Sequence, residues 1–137
     1  MTPVVIDASA GVEIVTDTAP GRRLTALMPT DAVGWVPQHF YVEVAGVIRH
    51  RTVVARALPE AAALMALDRL ERWHLLQALV PPLLAPAWQF RHKMTTTDAV
   101  YVALAKELGA TFLSDDQKLM NSPTFPRKVT VLRLPVS

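Results

Sequence analysis

Cysteine is absent from the 137 residues, which excludes a disulfide framework and any thiolate metal site. No apolar run approaches the roughly 18 residues that span a bilayer. The opening residues MTPVVIDASAGVEIV lack a basic stretch ahead of the apolar one, and Asp7 interrupts it. That is not the pattern of a secretory signal, and the expectation is a cytoplasmic protein with no membrane segment. There is no Walker-type phosphate loop and no G-x-G-x-x-G after a strand, so the usual nucleotide cradles are missing. Ser9 and Ser114 lie outside any G-x-S-x-G elbow, which argues against a serine hydrolase. His39, His50, His74 and His92 lack the paired spacing of a zinc site. Trp35, Trp73 and Trp88 form no base-stacking ladder and are assigned to packing.

What is present is an apolar surplus: 51% hydrophobic residues and a mean hydropathy of +0.26. The length fits a single domain over residues 1–137. A domain this small exposes much of its surface, so part of the surplus is expected at an interface, in a homodimer or against a dedicated protein partner. The net charge is only +2. Basic residues nevertheless gather at Arg22/Arg23, Arg49-His50-Arg51, Arg69/Arg72, Arg91-His92-Lys93 and Arg127/Lys128. Taken alone, such clusters read first as solvated helix ends and second as phosphate contacts.

Strand and helix signals alternate along the chain. Val4-Val5-Ile6 suits a buried strand, and Asp7-Ala8-Ser9 offers capping groups to a helix ending near Thr18. A second helix is expected from Arg22 to Met28, and a strand from Val33 to Val36. QHFYVEVAGVIRHR, from Gln38 to Arg51, reads as a helix apolar nearly all round. Pro59 fits the first position of a helix to about Trp73, with Ala63, Leu67 and Leu70 on one face. Leu75 to Val80 predicts a strand and Leu83 to Lys93 a helix. TTTDAVYVALAKELGA is the strongest helix, with Val100, Leu104 and Leu108 stacked and Gly109 as terminator. Thr111 to Leu113 is a strand, a short helix runs through Leu119, and Val129 to Leu132 is the last strand. This alternation predicts an α/β/α sandwich around a parallel sheet of four to five strands.

Open parallel sheets bind ligands beyond the carboxyl ends of their strands. Asp7 directly follows the first strand, and Asp115 and Asp116 follow the strand of Phe112 and Leu113. If those strands are neighbours, their acids meet at one edge. Glu43 sits between Phe40-Tyr41-Val42 and Val44-Ala45, with no Lys or Arg at i±3 or i±4 to neutralise it. Buried there, it needs a cation or a proton. Asp98 stands just ahead of Ala99-Val100-Tyr101-Val102-Ala103-Leu104. Each acid also has a structural reading: Asp7 as a helix cap, Asp98 in a capping box with Thr95, Glu43 paired with a distant Arg, Asp116 as a solvated first-turn residue. All four being incidental together is much less plausible than any one, and crowded carboxylates are usually resolved by a hard divalent cation.

The order VVIDASA, then PQHFYVEVAGVI, then TTTDAVYVALAKELGATFLSDDQKL resembles the PIN-domain family, and more narrowly the VapC-type toxins of bacterial toxin–antitoxin pairs. The likeness runs from Val4 to about Leu132. It implies an α/β/α sandwich and metal-dependent endoribonuclease activity with Mg²⁺ or Mn²⁺. The family's acidic quartet carries over to Asp7, Glu43, Asp98 and Asp116, and its hydroxyl residue two before the last acid to Ser114. The Asp115-Asp116 pair departs mildly from relatives that have one acid there, which places Asp115 in a supporting role as a helix cap or outer contact. Asp7, Asp98 and Asp116 are expected at the metal, Asp7 and Asp98 as direct ligands. Glu43 and Asp116 act either through water or by orienting the nucleophile. Arg91 is the candidate for substrate phosphates. The partners implied are RNA, a cognate antitoxin inserting a segment into the groove, and a second copy of the chain. The alternatives are a related nuclease acting on DNA or in RNA maturation, and a catalytically silent binding module.

Overall fold

The computed structural model describes residues 1–135. Its centre is β1 (Thr2–Ile6), where Val4, Val5 and Ile6 are sealed from solvent. Successive strand residues face opposite sides, so three sealed in a row require cover on both faces of the sheet. β2 (Ala32–Pro37) and β4 (Thr111–Leu113) flank β1; β3 (Leu76–Ala78) and β5 (Val131–Leu132) are the edges, in the order β3-β2-β1-β4-β5. All four pairings are parallel. The chain builds outward from β1 to one side, then crosses to the other at β4. That reversal is the place where a parallel sheet opens a crevice between its strand ends.

Helices α1 (Ala8–Val15), α2 (Ala19–Leu27), α3 (Phe40–Arg49) and α4 (Glu60–Arg72) pack in succession, α1 touching each of the other three. Gly11 permits the approach of α1 to α3: a Cβ there would stand 2.6 Å from the Phe40 ring. The contact lays the helix that begins after Asp7 beside the helix that carries Glu43. The short α5 (Leu84–Trp88) packs against α6 (Thr96–Leu108), which lies against β1, β2 and β4. Residues Ala99 through Ala105 of α6 are all buried, so this helix is covered all round rather than along one stripe. Thr95 caps its start, accepting from the Asp98 N–H, and Gly109 ends it at φ 60°. The last helix, α7 (Gln117–Met120), follows β4. No helix among the described residues is long and apolar enough to cross a membrane.

The expected elements are all present, with shifted ends. The last strand starts at Val131 instead of Val129, and the third covers only Leu76–Ala78. The helix expected over Leu83–Lys93 stops at Trp88. Beyond it the N–H groups of Phe90, Arg91 and Lys93 bond back three residues, the tighter pattern common where a helix runs out. The Arg91 side chain adds a second bond to the Trp88 carbonyl, and the Gln89 side chain donates to that of Pro86, so side chains share the carbonyls at the end of the truncated helix. After Arg49, α3 widens into a π-helical turn, His50–Val54, with the Ala55 N–H bonded to the His50 carbonyl.

Candidate active site

Asp7 is 4% exposed and its carboxylate is held on every side. The Asp7 N–H bonds to the Leu113 carbonyl across the β1–β4 seam, which sets the ends of both strands level. One carboxylate oxygen accepts from the Ala10 N–H at 3.0 Å and the Ser9 hydroxyl at 2.7 Å; the other accepts from Ser114 at 2.5 Å. The capping role read from sequence and the site role therefore coexist in one side chain. Burial pushes the Asp7 carboxyl up to about 6, against the three hydrogen bonds and with the added repulsion of Asp116.

The two serines do more than hold Asp7. Ser114 accepts the N–H of Asp116 and Ser9 that of Asp115, each at 2.9 Å. The turn carrying both acids is thereby pinned to the end of β1. Asp116 caps α7, accepting from the Leu119 N–H at 3.0 Å. The cap expected at Asp115 is thus made one residue later, because Asp116 still lies in extended backbone (φ −94°, ψ 90°). The Asp115 carboxyl is raised by partial burial and by Glu13, with Arg23 pulling the other way.

Asp98, in the first turn of α6, is raised by burial and then by Asp116, while Thr95 and His39 oppose the rise. Glu43 differs from the expectation of a fully buried, unpartnered acid. Its side chain keeps 31% of its exposure and accepts a 2.7 Å hydrogen bond from the Tyr101 hydroxyl. Burial and this bond push the Tyr101 phenol far above its ordinary value, so it remains a donor. His39 lies 3.8 Å from the same Glu43 oxygen, and its ring packs on Tyr101 with centroids 4.8 Å apart.

Asp7, Glu43, Asp98, Asp115 and Asp116 all line one cleft of about 400 Å³, together with Ser9, Glu13, Arg51 and Tyr101. Ser114 lies beneath it, fully buried. Arg91 does not line this cleft; it lies exposed over the Trp88 ring at 5.1 Å. Among the described residues, the cation that does line it is Arg51. Ser9, Tyr101, His39, Glu13 and Arg51 were not singled out as site residues in the sequence. Helical spacing was the available signal: Tyr101 is three after Asp98, His39 four before Glu43, Arg51 eight after it.

Every acidic donor at the cleft is a carboxylate oxygen, the ligand type that hard divalent cations prefer. Asp116 raises both Asp7 and Asp98, so the three charges feel one another, and a cation between them would relieve that repulsion. Among the described residues no three histidine or acidic side chains are arranged as a ready-made metal cage. The carboxylate donors are of the type such an ion takes, and water would have to complete its shell.

The chain matches the PIN domain family model over residues 4–122. It is 33% identical to ribonuclease VapC12 of Mycobacterium tuberculosis over 124 residues, 87% of this chain and 91% of the relative. It is 29% identical to ribonuclease VapC1 of the same organism, over 97% of this chain and all of the relative. Among solved structures, the toxin VapC20 of M. tuberculosis, described as cleaving the sarcin-ricin loop, superposes with a TM-score of 0.62 at 18% identity. That match covers 85% of this chain and 92% of the other. VapBC2 of Rickettsia felis, bound to a promoter DNA fragment, gives a TM-score of 0.66 at 9% identity, over 96% and 98%. At those identities the two structures speak for the fold, and the fold is the one observed. A sheet that reverses at β1, a carboxylate cleft at that reversal and the sequence relatives agree: this chain belongs to the PIN-domain family, among the VapC ribonucleases.

Proposed function

We propose that this chain is a metal-dependent endoribonuclease and the toxin of a type II toxin–antitoxin pair. The observation that carries the reading is the convergence of Asp7, Glu43, Asp98 and Asp116 on one cleft at the point where the sheet reverses. Ribonucleases of this family depend on a divalent metal in general. Here Asp7, Asp98 and Asp116 would hold Mg²⁺ or Mn²⁺, which supplies an activated water and stabilises the departing oxygen. Three donors fix the Asp7 carboxylate, two on one oxygen and one on the other, so the acceptor site left on the second oxygen is held in place without reorganisation. Glu43, oriented by the Tyr101 hydroxyl, is the group placed to accept the proton of the attacking water.

The purified chain should cut RNA internally in Mg²⁺ or Mn²⁺, spare DNA of matched sequence, and stop in excess EDTA. Full activity in EDTA would overturn the carboxylate mechanism, and cleavage of DNA alone would overturn the substrate.

Two partners belong to the same proposal. One is an antitoxin, in keeping with the VapB–VapC complex among the structural relatives. The other is a second copy of the chain. Val42 on α3 and Leu64 and Met65 on α4 are more than half exposed, and these two helices pack on each other, so their exposed apolar side chains are the candidates for an interface. A dimer burying at least about 1,000 Å² would cover them. Light scattering should give twice the chain mass at micromolar concentration, and a monomer there would remove the dimer from the reading.

A further inference from the structure

Among the described residues, six carboxylates line the cleft: Asp7, Glu13, Glu43, Asp98, Asp115 and Asp116. Against them stands one cationic side chain among the described residues of the lining, Arg51. A polyanion entering such a cleft needs positive charge beyond that of bound metal, because backbone neutralisation supplies most of the affinity for nucleic acid. Glu43, Val47 and Arg51 recur at i, i+4 and i+8, and all three line the cleft. At helical rise, Arg51 lies about 12 Å along the axis from Glu43, beyond the centre where the four acids meet.

The local backbone is built to keep Arg51 there. The residue sits in the π-helical turn, a rare conformation that concentrates at functional sites. Its carbonyl accepts from the N–H groups of both Ala57 and Leu58. One guanidinium nitrogen donates to Glu13 at 2.8 Å, and Glu13 also accepts from the Thr18 hydroxyl at 3.1 Å. Among the described residues no other acceptor takes the remaining N–H groups of Arg51. The pair is partly open to solvent, Arg51 at 37% and Glu13 at 14%. Glu13 thus aims the fork without exhausting it, and the N–H groups it leaves unused on the half-open Arg51 side can meet a phosphate.

We propose that Arg51, oriented by Glu13, is the residue that holds an RNA backbone phosphate flanking the reacting one. The assignment rests on the ribonuclease reading and replaces Arg91, which lies outside the cleft. Arg51 is a binding residue and Glu13 a positioning residue; neither takes part in the proton transfers.

The test measures binding of a single-stranded RNA oligonucleotide across a salt series in EDTA, in an Asp116→Asn background, so that the probe stays intact. Adding Arg51→Gln should weaken binding roughly tenfold at low salt and flatten the slope of log K against log salt by about 0.7, the value of one single-strand phosphate contact. Arg51→Lys should restore the slope. Glu13→Gln leaves the cation in place and should keep the slope, but without the charge that aims the guanidinium it should raise KM severalfold with kcat little changed. With Asp116 intact, Arg51→Gln should raise KM while kcat changes little. If Arg51→Gln and Glu13→Gln both lower the melting temperature and both keep the wild-type slope and KM, the pair is structural and the proposal falls. Failure of wild-type protein to cut RNA would instead sink the ribonuclease reading, and the salt slopes would still judge Arg51 on their own.

Discussion

Asp7→Asn should yield a folded protein that has lost cleavage by roughly a thousandfold or more, the scale of several kcal/mol of transition-state stabilisation. The same protein should melt higher than wild type once metal is removed. Both effects come from one buried charge. Asparagine keeps the size of the side chain and an oxygen for the Ala10 N–H and the Ser9 hydroxyl. It removes the charge that a metal requires. That charge is costly in the metal-free state: a carboxyl moved from 3.8 to about 6 carries roughly 3 kcal/mol of destabilisation when ionised at neutral pH.

The pH dependence fixes the sign. Folded Asp7 holds its proton more tightly than the unfolded residue does, so the penalty is fully present above about pH 6 and is relieved as pH falls through 6 toward 3.8. In EDTA, the melting temperature of wild type should therefore climb toward that of Asp7→Asn on acidification, and the two should meet near pH 4. Asp98 and Asp115 are also raised, but both variants retain them, so their contributions cancel in the comparison. A gap that stays constant from pH 7.5 to 4.5 would show that Asp7 is not a buried, strained carboxylate.

The central strands were legible because strands buried on both faces read as unbroken apolar runs, as in Val4-Val5-Ile6 and Phe112-Leu113. Helix α6 was legible because its capping threonine and its terminal glycine act locally, within a few residues. The acids of the quartet stood out because ionised groups amid apolar neighbours demand an explanation. The meeting of Asp7 with Ser114 was conditional on strand adjacency, which no local signal decides. The partner of Glu43 is not legible in its own helix, because it is Tyr101, 58 residues away. Arg91 was preferred to Arg51 because both lie in basic clusters, and only tertiary packing tells which cluster faces the cleft. The end of α5 was missed because the side chains of Gln89 and Arg91 compete for its carbonyls, an effect outside apolar periodicity.

Asp116→Asn should lose cleavage by roughly a hundredfold, on the scale of one removed electrostatic stabiliser, and lose almost no stability. Asp115→Asn should keep most of its activity. The structure makes this contrast sharper than sequence spacing does, because Asp116 has two separable duties. As the cap of α7 it accepts from Leu119, and asparagine caps a helix about as well as aspartate, so that duty survives the substitution. As a charge it presses on Asp7 and Asp98, raising both, and that duty is lost. The variant therefore isolates the charge from the fold. Asp115 is pinned through its backbone N–H to Ser9, a bond that any side chain preserves. Its carboxyl accepts no hydrogen bond among the described residues, so its replacement disturbs neither the turn nor the helix. Measuring both variants at several Mg²⁺ concentrations, alongside their melting temperatures, separates the assignments. Asp116→Asn with full activity would leave Asp116 a helix cap and nothing more, and a larger loss in Asp115→Asn would transfer the catalytic role to Asp115.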